Sequence, residues 1–389
     1  MSEQPMLNTE RLRVCYFGTY RAQYPRNRIM IEGLRRNGVE VVECHTTLWR
    51  GIEDRVQVVV RGWYTPSFWW RVICAYGRLL QRYRQVGSYD ILVVGYPGLL
   101  DVILARGLSW WRGKPLVWDV FMSLYLIACE RNLDQRNPLA VSLLRWLERL
   151  ACTLPDLLIL DTQEYMHWLC ETHRISARRF RLVPTGADDH LFRPPSQAKT
   201  SSEDLFRVVY YGSFIPNHGV QTIIKAARLL KDEAGICFEL IGSGPQKAWA
   251  LELTKEVALS NVAFEDWLEV DQLVNRVAQA DVCLGAFGTT PQSLMTVQNK
   301  VIEGLAMGKA VISGDSPTVR RLLQHGEHIF LVERENPRAL ADAILTLRAE
   351  PALRNRIAQQ GQQLFVDHFT PAHIGQQALR HLQEIIKEK

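Results

Sequence analysis

Short apolar runs alternate with stretches of helical period along nearly the whole chain. Residues 13–17 (RVCYF) form an apolar run ending at Gly18, a helical pattern covers 27–37, and a second run follows Gly38 at 40–44. Further strand-like runs fall at 91–94, 116–118, 157–160 and 180–183, with helical patterns between them, notably at 140–152. Residues 194–204, PPSQAKTSSED, have no apolar period and the composition of a linker. The alternation then restarts, with strands expected at 207–211, 237–241, 262–264, 282–286 and 310–313. Helices are expected between them at 220–230, 247–259, 270–280 and 298–307, and again towards the end. This order predicts parallel sheets covered on both faces. The expected fold is α/β: two Rossmann-like, doubly wound domains, residues 1–193 and 205–370, with a cleft between them. Ligands of open parallel sheets bind outside strand C-terminal ends, yet transferases, dehydrogenases and two-lobed binding proteins all use such an architecture.

Composition narrows the setting more than the chemistry. The 389 residues suffice for two domains, and 47% hydrophobic with 22% charged residues is ordinary for a globular protein. No uncharged apolar run reaches the roughly 18 residues of a membrane span. The two most apolar stretches, 91–105 and 115–129, are broken by Asp101 and Asp119. The N-terminus lacks the apolar core of a signal peptide, so the expected location is cytoplasmic, at most peripheral on the inner face of the membrane. Eight cysteines are scattered without a CxxC pair, which predicts reduced thiols and no zinc site. Residues 1–190 hold 25 Lys and Arg against 19 Asp and Glu, whereas the remainder holds 21 against 22. Within that basic half Lys114 is the only lysine, and nine of the eleven tryptophans lie there. The two halves present different surfaces.

Three loops of the second domain leave strands and open helices, the arrangement that presents backbone N–H groups to a phosphate. In YYGSFIPNHGV, residues 210–220, Gly212 permits a sharp exit from the strand and Gly219 precedes the helix. A glycine-punctuated turn that binds nothing has the same pattern. ELIGSGP, residues 239–245, supplies Gly242 and Gly244, and a lone GxG is weak evidence. The third loop leads into QNKVIEGLAMGKAVI, residues 298–312, where Lys300 and Glu303 share a helix face. A cleft-facing carboxylate there accepts both hydroxyls of a ribose, and the helix N-terminus at Val297 and Gln298 aims its dipole at a diphosphate. The plain alternative is a surface ion pair worth roughly a few tenths of a kcal/mol. Against it, the helix runs through GLAMG straight into an apolar strand, which leaves little of it free.

The succession YYGSFIPNHG, ELIGSGP, NVAFEDWL, ADVCLGAF, QNKVIEGLAMGKAVISGDSPTVRRLLQHGEH and NPRALADAI resembles the donor domain of the GT-B glycosyltransferases of the large retaining group, family 4. YFGTYRAQYPRN and RLVPTGADDHLFRP resemble that family too, so the resemblance spans nearly the whole chain. It implies a retaining hexosyltransferase whose nucleotide-diphosphate sugar (UDP-, GDP- or ADP-linked) is held mainly by the second domain, with no further cofactor. No DxD-type motif is present, so no metal is expected. The resemblance makes Glu303 the ribose-holding residue, puts Trp267 and Leu268 among the base contacts, and returns the last helix, 371–389, to the first domain. Three positions depart from the family pattern. Met295 stands eight residues before Glu303 where a second glutamate is common, and Ser213 and His218 stand where arginine and lysine grip the diphosphate. A subgroup with GxFIPxHG and a Gln/Pro-Asn-Lys-Val helix (here QNKVxE) fits better. Phosphate neutralisation is accordingly expected from Lys300, His218 and helix N-termini.

In the first domain, Arg21, Arg26 and Arg28 flank the loop after Gly18, and Arg26 with the adjacent Asn27 is placed to meet an anionic acceptor or the donor phosphates; a solvated basic loop fits equally. Asp119, at a strand end, is placed to orient an acceptor hydroxyl or take its proton, or else to cap a helix. Asp161 and Thr162 occupy a similar strand end. Asp119, Lys300 and Glu303 are thus the expected reacting-centre residues. The acceptor is expected to be a glycan or a lipid-linked glycan. Residues 61–85 combine Trp63, Trp69 and Trp70 with Arg61, Arg71, Arg78, Arg82 and Arg84, which suits an anionic membrane surface or a packed helix with snorkelling arginines. Nucleic acid is not expected, since the charge excess is small and no recognition motif is present. Two rivals share the architecture: a sugar-nucleotide epimerase and a non-catalytic relative that has lost its phosphate-gripping residues. Only one glycine in residues 14–27 argues against a dinucleotide oxidoreductase.

Overall fold

A computed structural model describes residues 11–48, 65–194 and 205–388. Residues 195–204 of the expected linker and residues 61–64 of the Trp/Arg segment, including Arg61 and Trp63, lie outside them. The chain divides into two compact units. One contains residues 1–160, 168–183 and 374–389, the other 161–167 and 184–373.

In the first unit, β1 (Arg13–Gly18), β2 (Glu40–His45), β3 (Ile91–Val94), β4 (Leu116–Asp119), β5 (Leu157–Leu160) and β6 (Phe180–Leu182) form one parallel sheet in the order β2-β1-β3-β4-β5-β6. The helices are α1 (Pro25–Arg36), α2 (Pro66–Gln85), α3 (Asp101–Arg112), α4 (Leu124–Glu130), α5 (Leu133–Arg136), α6 (Pro138–Thr153) and α7 (Gln163–His173), the last belonging to this unit only from residue 168 on. β1, β3, β4 and β5 are buried almost throughout, as runs such as ILVV and LLIL require of parallel strands covered on both faces.

The second unit repeats the plan. Its strands are β7 (Phe206–Tyr211), β8 (Ile236–Ile241), β9 (Val262–Glu265), β10 (Val282–Leu284), β11 (Ala310–Gly314) and β12 (Phe330–Val332), in the parallel order β12-β11-β10-β7-β8-β9. Its helices are α8 (Val220–Leu229), α9 (Lys247–Glu256), α10 (Val270–Gln279), α11 (Pro291–Met295), α12 (Asn299–Ala306), α13 (Pro317–Leu322), α14 (Pro337–Ala349) and α15 (Pro351–His368). The final helix, α16 (Pro371–Lys387), buries Ile374, Ala378, Leu382 and Ile385 in the core of the first unit beside Ile29 and Leu34 of α1. A Cβ on Gly375 would fall 1.9 Å from the Gly33 carbonyl carbon, so α1 and α16 touch backbone to backbone.

The boundary differs from the expected one. Residues 184–193 belong with the second unit, because Phe192 and Ala187 enter its core and Ala187 N–H donates to the Phe369 carbonyl. Polar residues there hid a short segment that docks through two apolar side chains. In each unit the chain reverses its direction across the sheet once. In the second this happens between β7 and β10, and the loops leaving their C-terminal ends are where an open parallel sheet binds ligands.

Candidate functional site

The β7 exit is fixed by close backbone approach. Gly212 has φ 134° and Gly242, leaving β8, has φ 131°; a Cβ on Gly242 would fall 2.1 Å from the Gly212 carbonyl oxygen. Gly219 meets the β10 exit in the same way, 2.5 Å from the Gly288 nitrogen to its absent Cβ, and a Cβ on Gly244 would sit 2.7 Å from Phe214 N. These glycines let three loops pack onto one another, which no side chain would permit. Their N–H groups are already used: Gly212 donates to Ile241, Gly219 to Pro216 and Gly242 to Glu265. Any backbone N–H that these loops offer to a phosphate therefore comes from other positions than these three. Ser213 N–H makes no hydrogen bond among the described residues, and neither do the first N–H groups of α12, at Asn299 and Lys300.

Lys300, in the first turn of α12, is buried with its Nζ beneath this loop: a Cβ on Gly212 would come within 2.8 Å of it. Nζ stands 4.1 Å from the centroid of the Tyr210 ring and 3.2 Å from His218 Nδ1. Among the described residues Lys300 makes no salt bridge. Burial lowers its pKa to about 7, opposed by the Glu303 charge one turn on. The Ser213 carbonyl lies 2.7 Å from both the Tyr210 hydroxyl and His218 Nδ1, so it accepts from them. Burial first and Lys300 second hold the His218 pKa well below its usual value. Burial and the neighbouring Lys300 thus both disfavour the charged imidazole.

Glu303 is half-buried, and its carboxylate reaches the Tyr211 hydroxyl, whose pKa is pushed well up by burial and then by this negative charge. Val297 is buried, and the Gln298 amide turns back on Thr296 with its Oε1 buried and unpartnered. Trp267, just beyond β9, is 58% exposed, whereas Leu268 packs on the core. Met295 is joined to the strand end of Asp161 and Thr162, since Thr162 Oγ1 donates to its carbonyl at 2.5 Å. Thr162 also caps α7 by accepting from Tyr165 N–H, and Asp161 is buried beside it.

Two residues that sequence reasoning passed over organise the same loops. Lys247 Nζ donates to the carbonyls of Gly242 and Glu265 and pairs with Asp266 at 2.6 Å. Arg334 donates to the carbonyls of Asp315 and Gly288 and to Ser293 Oγ, which in turn donates to the Asn217 carbonyl. Burial lowers the Arg334 pKa to about 10. Their only sequence signal was a cation near a strand end.

In the first unit, Arg26 and Asp119 are each other's partner. The guanidinium donates to both carboxylate oxygens at 2.8–3.2 Å, and a further N–H goes to the Val183 carbonyl. Both are buried. Asn27 is also committed, accepting from the Tyr16 hydroxyl and donating to the Tyr96 carbonyl. At Gly18 the missing Cβ makes room for Asp101, which accepts from Thr19 and from the Tyr76 hydroxyl. Among the described residues no cluster of His, Cys, Asp and Glu is placed to hold a metal ion, and all eight cysteines are unpaired.

Comparison with known proteins decides what this plan is. Residues 28–191 match the family model described as Glycosyltransferase Family 4, and residues 206–350 match Glycosyl transferases group 1. The chain is a family 4-like GT-B glycosyltransferase. Among curated relatives it is 27% identical over 168 residues to the lipopolysaccharide core biosynthesis glycosyltransferase LpsD of Rhizobium meliloti (strain 1021), covering 43% of this chain and 46% of that protein. The chain therefore spans about half the length of that relative. It is 23% identical over 301 residues to the alpha-D-kanosaminyltransferase of Streptomyces kanamyceticus, 75% of this chain and 74% of that one. Among solved structures, sucrose-phosphate synthase from Thermosynechococcus elongatus superposes with a TM-score of 0.73 at 16% identity, over 97% of this chain and all of that one. Anabaena Alr3699/HepE in complex with UDP-glucose gives 0.65 at 16% identity, over 96% and 99%. The two similar structures share the GT-B fold with this chain.

Proposed function

We propose that this glycosyltransferase moves a sugar from a nucleotide-diphosphate donor, UDP-linked in the first instance, to a hydroxyl of a glycan or lipid-linked glycan, with the anomeric configuration retained. The observation that carries this reading is Lys300, a buried lysine under the Gly212–Ser213 turn at the switch point of the second sheet, with the Tyr210 ring and His218 against its Nζ. The diphosphate lies over that turn, taking hydrogen bonds from Ser213 N–H and the first N–H groups of α12, with Lys300 supplying the charge. Glu303 accepts the ribose hydroxyls, and the exposed Trp267 ring offers a face to the base. The C1–O bond to the diphosphate breaks, and negative charge gathers on the leaving oxygen, where these donors are already aimed. The acceptor oxygen bonds to C1 on the face the diphosphate leaves, and its proton passes to the departing phosphate. Lys300 and the backbone donors supply the neutralisation that a divalent cation gives elsewhere.

The support for UDP is a solved structure of the same fold in complex with UDP-glucose, and the support for a glycan acceptor is the similarity to a lipopolysaccharide core glycosyltransferase. A thermal-shift series with UDP-, GDP- and ADP-sugars, followed by incubation with oligosaccharide acceptors and NMR of the anomeric proton, tests the reading. Stabilisation by a UDP-sugar and a product of unchanged configuration in the presence of EDTA are expected. Conversion of the donor without an acceptor would make the chain an epimerase, and no stabilisation by any nucleotide sugar would make it a non-catalytic relative.

A further inference from the structure

Three helices of the first unit carry cations and large apolar side chains on their outer surfaces and no exposed carboxylate. α2, α3 and α6 lie in the successive crossovers β2 to β3, β3 to β4 and β4 to β5. These parallel connections all step the same way along the sheet, so right-handedness places the three helices side by side on one face. Contacts join them in series. Arg112 of α3 donates to the Val86 and Gly87 carbonyls just past α2. Arg106 of α3 pairs with Asp156 just past α6.

Each helix has a normal buried stripe, such as Phe68, Val72, Ala75 and Leu79 on α2. Each also has an outward one. Trp70, Ile73, Trp110, Trp111, Leu139 and Trp146 are between 58% and 82% exposed. Arg78, Arg82, Arg84, Arg145 and Arg149 stand exposed among them. The three helices contain two carboxylates, Asp101 and Glu148, and both are buried and hydrogen-bonded inward. Arg106 and Arg112 lie over the rings of Trp110 and Trp111.

We propose that this three-helix face is a docking surface for an anionic lipid bilayer. Indole rings favour the headgroup boundary, arginines pair with lipid phosphates, and Ile73 and Leu139 enter the acyl edge. The charge is complementary to an anionic partner, since no exposed carboxylate on these helices answers a cationic one. Aliphatic side chains spread over three helices add nothing to nucleic-acid binding, where aromatic rings stack on bases in a groove. The surface is broader than the 61–85 segment and includes α3 and α6, and it stands independently of the transfer reaction.

The test is co-sedimentation of the full chain with vesicles of phosphatidylglycerol and phosphatidylcholine at low salt. Binding is expected, with a blue shift of tryptophan fluorescence, and it should fade with added salt and be absent on phosphatidylcholine alone. Arg145→Gln with Arg149→Gln should weaken partition by roughly fivefold per arginine, and Trp110→Ser with Trp111→Ser should weaken partition and reduce the blue shift, leaving only the part from Trp70 and Trp146. Thermal stabilisation by the nucleotide sugar, unchanged in both variants, shows that they fold. No sedimentation with anionic vesicles, equal partition of the variants, tighter binding to duplex DNA in the same buffer, or self-association through these tryptophans would each overturn the proposal.

Discussion

Lys300 Nζ stands 3.2 Å from His218 Nδ1, so two basic groups share one buried site. Both pKa values are held down by burial, Lys300 to about 7. If, as proposed, the diphosphate of the donor binds over Gly212, it restores the charge on Lys300. Free enzyme below pH 7 already carries that proton, so affinity is flat there. Above pH 7 the free site loses it while the complex keeps it, and affinity for a nucleotide-diphosphate sugar falls by up to tenfold per pH unit. Calorimetry at pH 8 in buffers of different ionisation enthalpy should show uptake of up to about one proton on binding. Lys300→Ala should lose the uptake and weaken the diphosphate sugar far more than the nucleoside; equal loss for both would remove Lys300 from the phosphate site.

The same lysine sets a stability profile. An unfolded lysine titrates near pH 10.4, whereas in the fold Lys300 titrates at about 7. Between those values the unfolded chain binds more protons than the folded one, so this group makes stability rise with pH from about 7 to about 10. Its cost is fully present below 7. Lys300→Met, which keeps the apolar stem over Tyr210, should raise stability at pH 7 by on the order of 2–4 kcal/mol. The advantage should vanish near pH 10. Urea midpoints of both proteins across that range check it, and a constant offset would refute the titration.

The strands and the switch-point loops were legible because each depends on a short run of its own residues: RVCYF, LLIL, GSFIPNHG. Lys300 and Glu303 were legible as a pair because helical spacing alone puts them on one face. What escaped is set by strand order, which no local pattern records. Arg26 follows β1 and Asp119 ends β4, 93 residues apart, and they meet because β3 alone separates the two strands. Read singly, each looked like a ligand contact. Lys247 escaped similarly, because the carbonyls it holds leave β8 and β9. The docking of residues 184–193 on the second unit depends on α15, nearly two hundred residues later.

The Arg26–Asp119 pair yields a separate prediction. Removing one partner leaves a buried charge without its counterion, which costs about 3–5 kcal/mol, while replacing both by apolar residues is often neutral. Asp119→Asn should therefore lower the denaturant midpoint sharply, and Arg26→Met with Asp119→Leu should recover most of it. If Asp119 acts only through this pair, the double variant keeps transfer activity. A stable but inactive double variant would return Asp119 to the reacting centre.

The close approach of Gly212 and Gly242 can be tested without touching any polar group. Gly242→Ala places a methyl 2.1 Å from the Gly212 carbonyl oxygen at φ 131°. Both obstacles are backbone, so the β7 exit must shift, and with it the turn that covers Lys300. A loss on the order of 2–4 kcal/mol is expected from overlap and strain together. Gly38→Ala is the control: φ is 80° there and nothing lies within 4 Å, so it meets backbone strain alone. That variant should lose about 1–2 kcal/mol and keep donor binding. Gly242→Ala, measured by thermal shift with the nucleotide sugar, should lose donor binding even at temperatures where circular dichroism shows it folded. Wild-type donor affinity in Gly242→Ala would show that the two loops are free to part and that the turn over Lys300 holds its shape without them.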